Sequence, residues 1–234
     1  MTEREFREWN EAMARKYDPD LFHHHPNPVV RYVERKRVRR ILEWLVPQPG
    51  DYIVDVGCGA GNILEQIRVG HLVGVDLSPY LLGKAQRRLL GKAFLVQGNI
   101  EALPLPTAAF DKAYCSEVLE HLPHPEQALR EICRILKPTG LLIISVPNET
   151  LINRIKAVLL RLGLFRLVLG GNKAKNYQSP MHMEDEWHLS QIDPQRLRQM
   201  GEGLFWLEAV SGIPFPFFPL RYVFISRPCR SQDS

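Results

Sequence analysis

The chain has 234 residues, 45% hydrophobic and 24% charged, and its 30 basic against 26 acidic side chains give a formal net charge of +4. That is one ordinary globular domain with enough chain for a full core, which excludes a disordered tail, a collagenous chain and a disulfide-stapled miniprotein. The four cysteines (Cys58, Cys115, Cys133, Cys229) form no C-x-x-C pair, so neither a zinc ribbon nor a disulfide framework is expected, and free thiols suit a reducing compartment.

The opening M-T-E-R-E-F-R-E-W-N has no apolar core, so no secretory signal is read there. No run approaches the roughly 18 apolar residues of a membrane span. A soluble, cytoplasmic protein is expected. The first thirty residues are polar and aromatic and end in F-H-H-H-P-N-P. Pro26 and Pro28 argue against a regular helix there, so the three histidines are expected on a solvated loop or lid rather than on a metal. Val38, Ile41, Leu42 and Leu45 fall at i, i+3, i+4 and i+7, the stripe of a helix. Arg31, Arg35, Lys36, Arg37, Arg39 and Arg40 are expected on its solvated face, a docking surface for phosphates or lipid head groups being the alternative. Pro47, Pro49 and Gly50 stop it.

From position 52 the period changes. Y-I-V-D-V reads as a strand, and the glycines of G-C-G-A-G turn it into a helix predicted from about Asn62 to Ile67. H-L-V-G-V-D is a second strand. Ser78 as N-cap and Pro79 at the first position open a second helix. A-F-L-V-Q and F-D-K-A-Y-C are further strands, P-E-Q-A-L-R-E-I-C-R-I-L a helix, and Gly140 opens a fifth strand, L-L-I-I-S-V. Alternating strands and helices, with strands apolar on both faces, imply a parallel sheet sandwiched by helices.

In such a sheet the ligand sits beyond the carboxyl ends of the strands, at the switch point beside the first. There Gly57, Gly59 and Gly61 let the backbone turn and approach a ligand that a β-carbon would block. Twenty-one residues after Asp55, the second strand ends in Asp76, placed to accept hydrogen bonds from two ribose hydroxyls. The dinucleotide fingerprint G-x-G-x-x-G fails, since its third glycine falls on Asn62. Asp55 would also oppose a pyrophosphate but would welcome an ammonium group. S-adenosylmethionine carries one, with a carboxylate, a ribose and an adenine.

V-D-V-G-C-G-A-G-N, V-G-V-D-L-S, G-N-I-E-A-L-P-L-P and F-D-K-A-Y-C-S-E-V-L-E-H-L-P-H-P, in that order over positions 50 to 148, resemble class I S-adenosylmethionine-dependent methyltransferases of the small-molecule and quinone-type branch. The resemblance implies an α/β fold, a three-layer sandwich with a mostly parallel seven-stranded Rossmann-like sheet, helices on both faces and a helical lid insertion. It implies one domain: N-terminal lid and helices over 1–50, cofactor-binding core over 51–148, acceptor-side insertion over 149–190, and a C-terminal helix and strands over 191–234. Asp55, Gly57, Gly59 and Asn62 would line the methionine end, with Cys58 among them. Asp76 would hold the ribose, with Leu77 against the adenine. Asn99 and Ile100 would border the adenine, an amide standing where the family carries an acid. Cys115, Ser116 and Glu117 would run past the sulfonium, the two cysteines being small fillers rather than nucleophiles.

Glu117, Glu120 and His121 lie at i, i+3 and i+4 beyond the fourth strand. His121 is the candidate general base for a phenol or hydroxyl, the rival reading being a histidine that ties down the loop. E-x-x-E-H also resembles the metal-binding stretch of some RNA and quinone O-methyltransferases. With His188 as a distant fourth ligand it admits Mg²⁺ or Zn²⁺, although no metal is among the expected cofactors. After V-P-N, Leu151, Ile155, Val158, Leu159 and Leu162 form a helical stripe in a segment carrying Arg154, Lys156, Arg161 and Arg166. It reads either as a lid over the acceptor pocket or, over 151–169, as a peripheral contact with an anionic inner membrane face. A helix is predicted after Asp193, and I-P-F-P-F-F-P-L as apolar wall and hairpin connection before a last strand, R-Y-V-F-I-S. The function expected is methyl transfer from S-adenosylmethionine to an oxygen of a small lipophilic acceptor. Nucleic-acid methylation and a non-catalytic S-adenosylmethionine-binding protein are the rivals. A charge of +4 is modest and no RNA-binding module is added, so no nucleic-acid partner is expected.

Overall fold

The apolar runs pair as seven strands, β1 (Tyr52–Val56), β2 (His71–Asp76), β3 (Ala93–Gln97), β4 (Phe110–Ser116), β5 (Leu136–Pro147), β6 (Phe205–Phe215) and β7 (Phe218–Pro228), in the order β3-β2-β1-β4-β5-β7-β6. The computed structural model describes residues 1–23, 25, 27–163 and 187–229. β1, β2, β3, β4 and β5 are mutually parallel, and β7 runs antiparallel between β5 and β6. The chain order reverses at β1, which lies between β2 and β4, so the crevice expected at a switch point opens above β1.

Strand alternation sorts the core into two layers. Val54, Val56, Ala113, Cys115, Leu142 and Ile144 pack on α5 (Pro125–Ile135) and on Leu197 and Met200 of α7 (Pro194–Met200). Ile53, Tyr114 and Ile143 pack on the other side against Val33, Val38, Ile41 and Leu45 of α3 (Pro28–Leu45) and Ala85 and Leu89 of α4 (Pro79–Leu89). The predicted caps hold: Ser78 accepts the N–H of Leu81 at 3.2 Å and Asp193 that of Arg196 at 2.7 Å.

Within the stretch expected to hold a lid and helices lie α1 (Glu3–Tyr17) and α2 (Asp20–His23), α1 opened by a capping box between Thr2 and Glu5. Two expectations change. Pro28 does not exclude a helix but starts one, as the first residue of α3 after the Asn27 cap. The helix read from Asn62 to Ile67 shrinks to a single 3₁₀ turn, Leu64–Gln66. Ile67 donates back to Leu64 and is already extended, so the crossover is too short to nucleate an α-helix. Beyond the core, α6 (Glu149–Arg161) follows β5 directly.

Candidate active site

The crevice begins where β1 ends. Gly57, Gly59 and Gly61 all take positive φ, at 83°, 51° and 76°. A β-carbon on Gly57 would collide with Val118, whereas one on Gly59 would meet nothing within 4 Å and would stand in the crevice. The loop is held from behind: Gly57 and Cys58 both donate to the carbonyl of Val75, and Gly59 donates to Asp76 Oδ2 at 2.8 Å. The other Asp76 oxygen accepts the N–H of Ser78 at 2.8 Å. Burial raises the Asp76 carboxyl to about 6 against these two bonds.

Asp55 points to the α3 side beside its register partner Tyr114. Burial, reinforced by the charge of Asp76, raises it to about 8, with Tyr114 and Arg37 pulling the other way. A buried carboxyl in this condition gains most from a cation.

Beyond Asp55 lies a polar cluster, of which the sequence reading placed Arg37 in solvent and Ser116 and Glu117 at the site. Arg37, expected on the solvated face of α3, is buried and ion-paired with buried Glu34 at 2.6 Å. It also donates to Ser116 Oγ, which lies 2.9 Å from Ser145 Oγ. Ser145 donates to Glu117 at 3.1 Å, and Glu117 pairs with Arg221 of β7 at 2.5 Å. Two acids and two arginines thus make a neutral network, so each charge is compensated where water is excluded. The signal was available: Arg37 sits four residues from both Val33 and Ile41, on the buried stripe.

Twelve expected site residues (Asp55, Gly57, Cys58, Gly59, Asn62, Asp76, Leu77, Asn99, Ile100, Ser116, Glu117 and His121) line one cavity of about 410 Å³. Cys115 does not. Ser116 faces the crevice, so alternation sends the Cys115 side chain into the α5-side core. The Asn99 carbonyl accepts the N–H of Glu101 at 3.0 Å and caps the next turn. Phe6, Asn10 and Tyr17 of α1, not singled out in the sequence, and His25, expected on a loop or lid, roof the cavity. The roof is tied down by ion pairs: Asp18 to Lys84 at 2.8 Å, and Asp20 to Lys84 and Arg88, both at 2.9 Å. Burial opposes ionisation of Asp20, but hydrogen bonds from Lys84 and Asn62 and the charge of Arg88 prevail and hold it at about 2. Of the histidine triplet, His24 lies outside the described residues.

The far end carries the general-base candidate. His121 Nδ1 lies 3.1 Å from the carbonyl of Trp187, which can only accept, so Nδ1 bears the proton and Nε2 is the basic nitrogen. The Trp187 ring lies 4.6 Å from His121, and His188 Nδ1 meets Glu149 at 2.8 Å. Ligand atoms of Glu120, His121 and His188 lie within 4.8 Å of one another, and both buried oxygens of Glu120 lack a partner among the described residues. A divalent cation held by these three would occupy His121 Nε2 and take away its use as a base, so the cluster is an alternative to the general-base role and not an addition to it. Glu117 is not part of that group, because Arg221 holds it.

Residues 54–144 match the family described as "Methyltransferase domain". The chain is 35% identical over 127 residues to the mitochondrial ubiquinone biosynthesis O-methyltransferase of Schizosaccharomyces pombe, covering 51% of this chain and 46% of that protein. It is 29% identical over 144 residues to 24-methylenesterol C-methyltransferase 2 of Oryza sativa subsp. japonica, covering 58% and 39%. Among solved structures it resembles magnesium protoporphyrin IX methyltransferase from Synechocystis PCC 6803 with bound SAH, at TM-score 0.67 and 17% identity over 96% of this chain and 100% of that one. The family match covers residues 54–144, under half of the chain, and the solved methyltransferase shares its fold. The chain spans less than half the length of the two curated relatives named here. S-adenosylmethionine as methyl donor fits what the crevice offers: open space at Gly59, a buried carboxyl at Asp55 for an ammonium, and Asp76 at the second strand's end.

Proposed function

We propose that this methyltransferase moves a methyl group from S-adenosylmethionine to an oxygen of a small lipophilic acceptor. When bound, the donor supplies a methyl carbon activated by positive sulfur. The chain has only to align the reactants and take up a proton. Asp55 would meet the donor's ammonium, Asp76 its ribose hydroxyls, and Leu77, Asn99 and Ile100 its adenine. Ser116 and Glu117, fixed by the arginine network, would flank the reacting centre. His121 Nε2 would take the acceptor's proton, leaving an imidazolium whose Nδ1–H the Trp187 carbonyl keeps in place.

One observation carries the reading: a single cavity joins the glycine loop and Asp76 to His121, Trp187 and Ile152. The names of two relatives, one for ubiquinone biosynthesis and one for a sterol, support a lipid-soluble acceptor. The test is transfer of labelled methyl from S-adenosylmethionine to a panel of lipid-soluble phenols and catechols. Label appearing on a phenolic oxygen is expected; label on RNA alone, or on nothing, overturns it. We also infer a cytoplasmic protein that touches an anionic membrane through 151–169, of which 164–169 lies outside the described residues. Four free thiols suit the compartment. Among the described residues no helix is long and apolar enough to cross a membrane.

A further inference from the structure

α6 has two faces with different uses. Glu149, Ile152, Asn153 and Lys156 line the cavity. Leu151, Ile155, Val158, Leu159 and Leu162 lie about 125° further round the helix at 100° per residue, and none lines the cavity. α6 fully buries no residue, and Val158 and Leu162 are 53% and 64% exposed. Val158 and Leu162 therefore face away from the cavity, while Leu151, Ile155 and Leu159 are half-buried. Arg154 and Arg161 flank it, and neither pairs with an acid among the described residues.

The β6–β7 turn meets the N-terminal end of α6. Arg221 pairs with Pro147 at the carboxyl end of β5, and β7 begins three residues earlier at Phe218. The turn therefore projects roughly 10 Å past the sheet, on the side of the cavity. Asn148, the N-cap of α6, accepts the N–H of Leu151, donates its side-chain amide to the Pro219 carbonyl at 2.9 Å and its backbone N–H to Leu220 at 3.0 Å. Helix and turn are joined. Phe217 is 86% exposed, Phe215 and Phe218 are each 42% exposed, and the Phe215 and Phe217 rings stack at 5.5 Å. The turn is tightly closed, since a β-carbon on Gly212 would lie 2.9 Å from Pro219 Cβ.

We propose that the β6–β7 turn and the outward stripe of α6 form one docking face for an anionic lipid bilayer. Phe217 is the inserted wedge, and Arg154 and Arg161 meet the head groups. This rests on the lipophilic-acceptor reading, because α6 is shared between the face and the cavity, so that an acceptor leaving the bilayer passes directly inward. Exposed aromatics and an apolar stripe flanked by arginines match the chemistry of an interfacial element, and the arginines select negative charge.

The experiment is co-sedimentation of the full chain with vesicles of phosphatidylcholine alone and of phosphatidylcholine mixed equally with phosphatidylglycerol. Phe217→Ser and the double variant Arg154→Glu/Arg161→Glu are compared with the wild type. Binding to the mixed vesicles only, falling as salt rises, is expected, with each variant about tenfold weaker and unfolding temperatures unchanged. Variants that bind like the wild type, or a wild type that binds neither vesicle, overturn the proposal. Transfer to a detergent-dispersed phenol, measured on the same proteins, is expected to be equal in all three. Its absence with vesicle binding intact would strike the acceptor reading and leave the docking face standing.

Discussion

Asp76 uses one carboxylate oxygen to hold Gly59, at 2.8 Å, so the residue placed for the ribose also fixes the loop that cradles the rest of the donor. Replacing it should therefore cost more than two ribose contacts. Asp76→Asn is expected to weaken S-adenosylhomocysteine binding by about a hundredfold, the loss of charge-assisted hydrogen bonds. Calorimetric titration checks it, and binding within a few-fold of wild type would count against the role.

Asp55 gives the pH dependence. Its folded value of about 8 lies above the unfolded carboxyl range, so the folded state holds the proton more tightly. Its contribution to stability is present at low pH and lost as pH rises from about 4 through 8. Asp76, at about 6, acts in the same direction. Asp55→Asn should make the ligand-free protein more stable than wild type above about pH 8, the difference vanishing at acid pH. Urea unfolding across that range measures it. The same variant should bind S-adenosylhomocysteine more weakly, because the ammonium loses its carboxylate.

The Glu34–Arg37 pair predicts a non-additive pattern. Glu34→Leu alone leaves Arg37 buried with an uncompensated charge and should cost about 3 kcal/mol. Glu34→Leu/Arg37→Met keeps the cluster neutral, because Glu117 retains Arg221, and should cost less than the single change. Chemical denaturation of the variants decides between this and simple addition.

His121→Ala should lower kcat by about a hundredfold with S-adenosylhomocysteine affinity unchanged, the signature of a proton acceptor at the reacting end. A parallel fall in affinity would instead mark His121 as a structural tie for the Trp187 segment.

How far the sequence was legible follows from what each signal encodes. β1, its glycine turn and Asp76 were readable because an apolar run, three glycines and a strand-end acid each have a local cause. The caps at Ser78 and Asp193 were equally local. The bounds of α1 were not read, only a lid and helices somewhere in 1–50, because Phe6, Trp9, Met13 and Tyr17 are thinly spread among charges, although their helical spacing and the Thr2–Glu5 capping box were there to read. Arg37 was misplaced because a charge reads as solvent-facing until its partners Glu34 and Ser116 are known, and Ser116 lies 79 residues away. The approach of His188 to Glu120 and His121 is likewise a tertiary event with no local trace.

The most direct measurement is a crystal structure grown with S-adenosylhomocysteine. It should show the ribose hydroxyls on Asp76, the amino group beside Asp55 and the backbone of Gly59 against the ligand. A crevice left empty, or filled by the side chains of α1, would contradict the account.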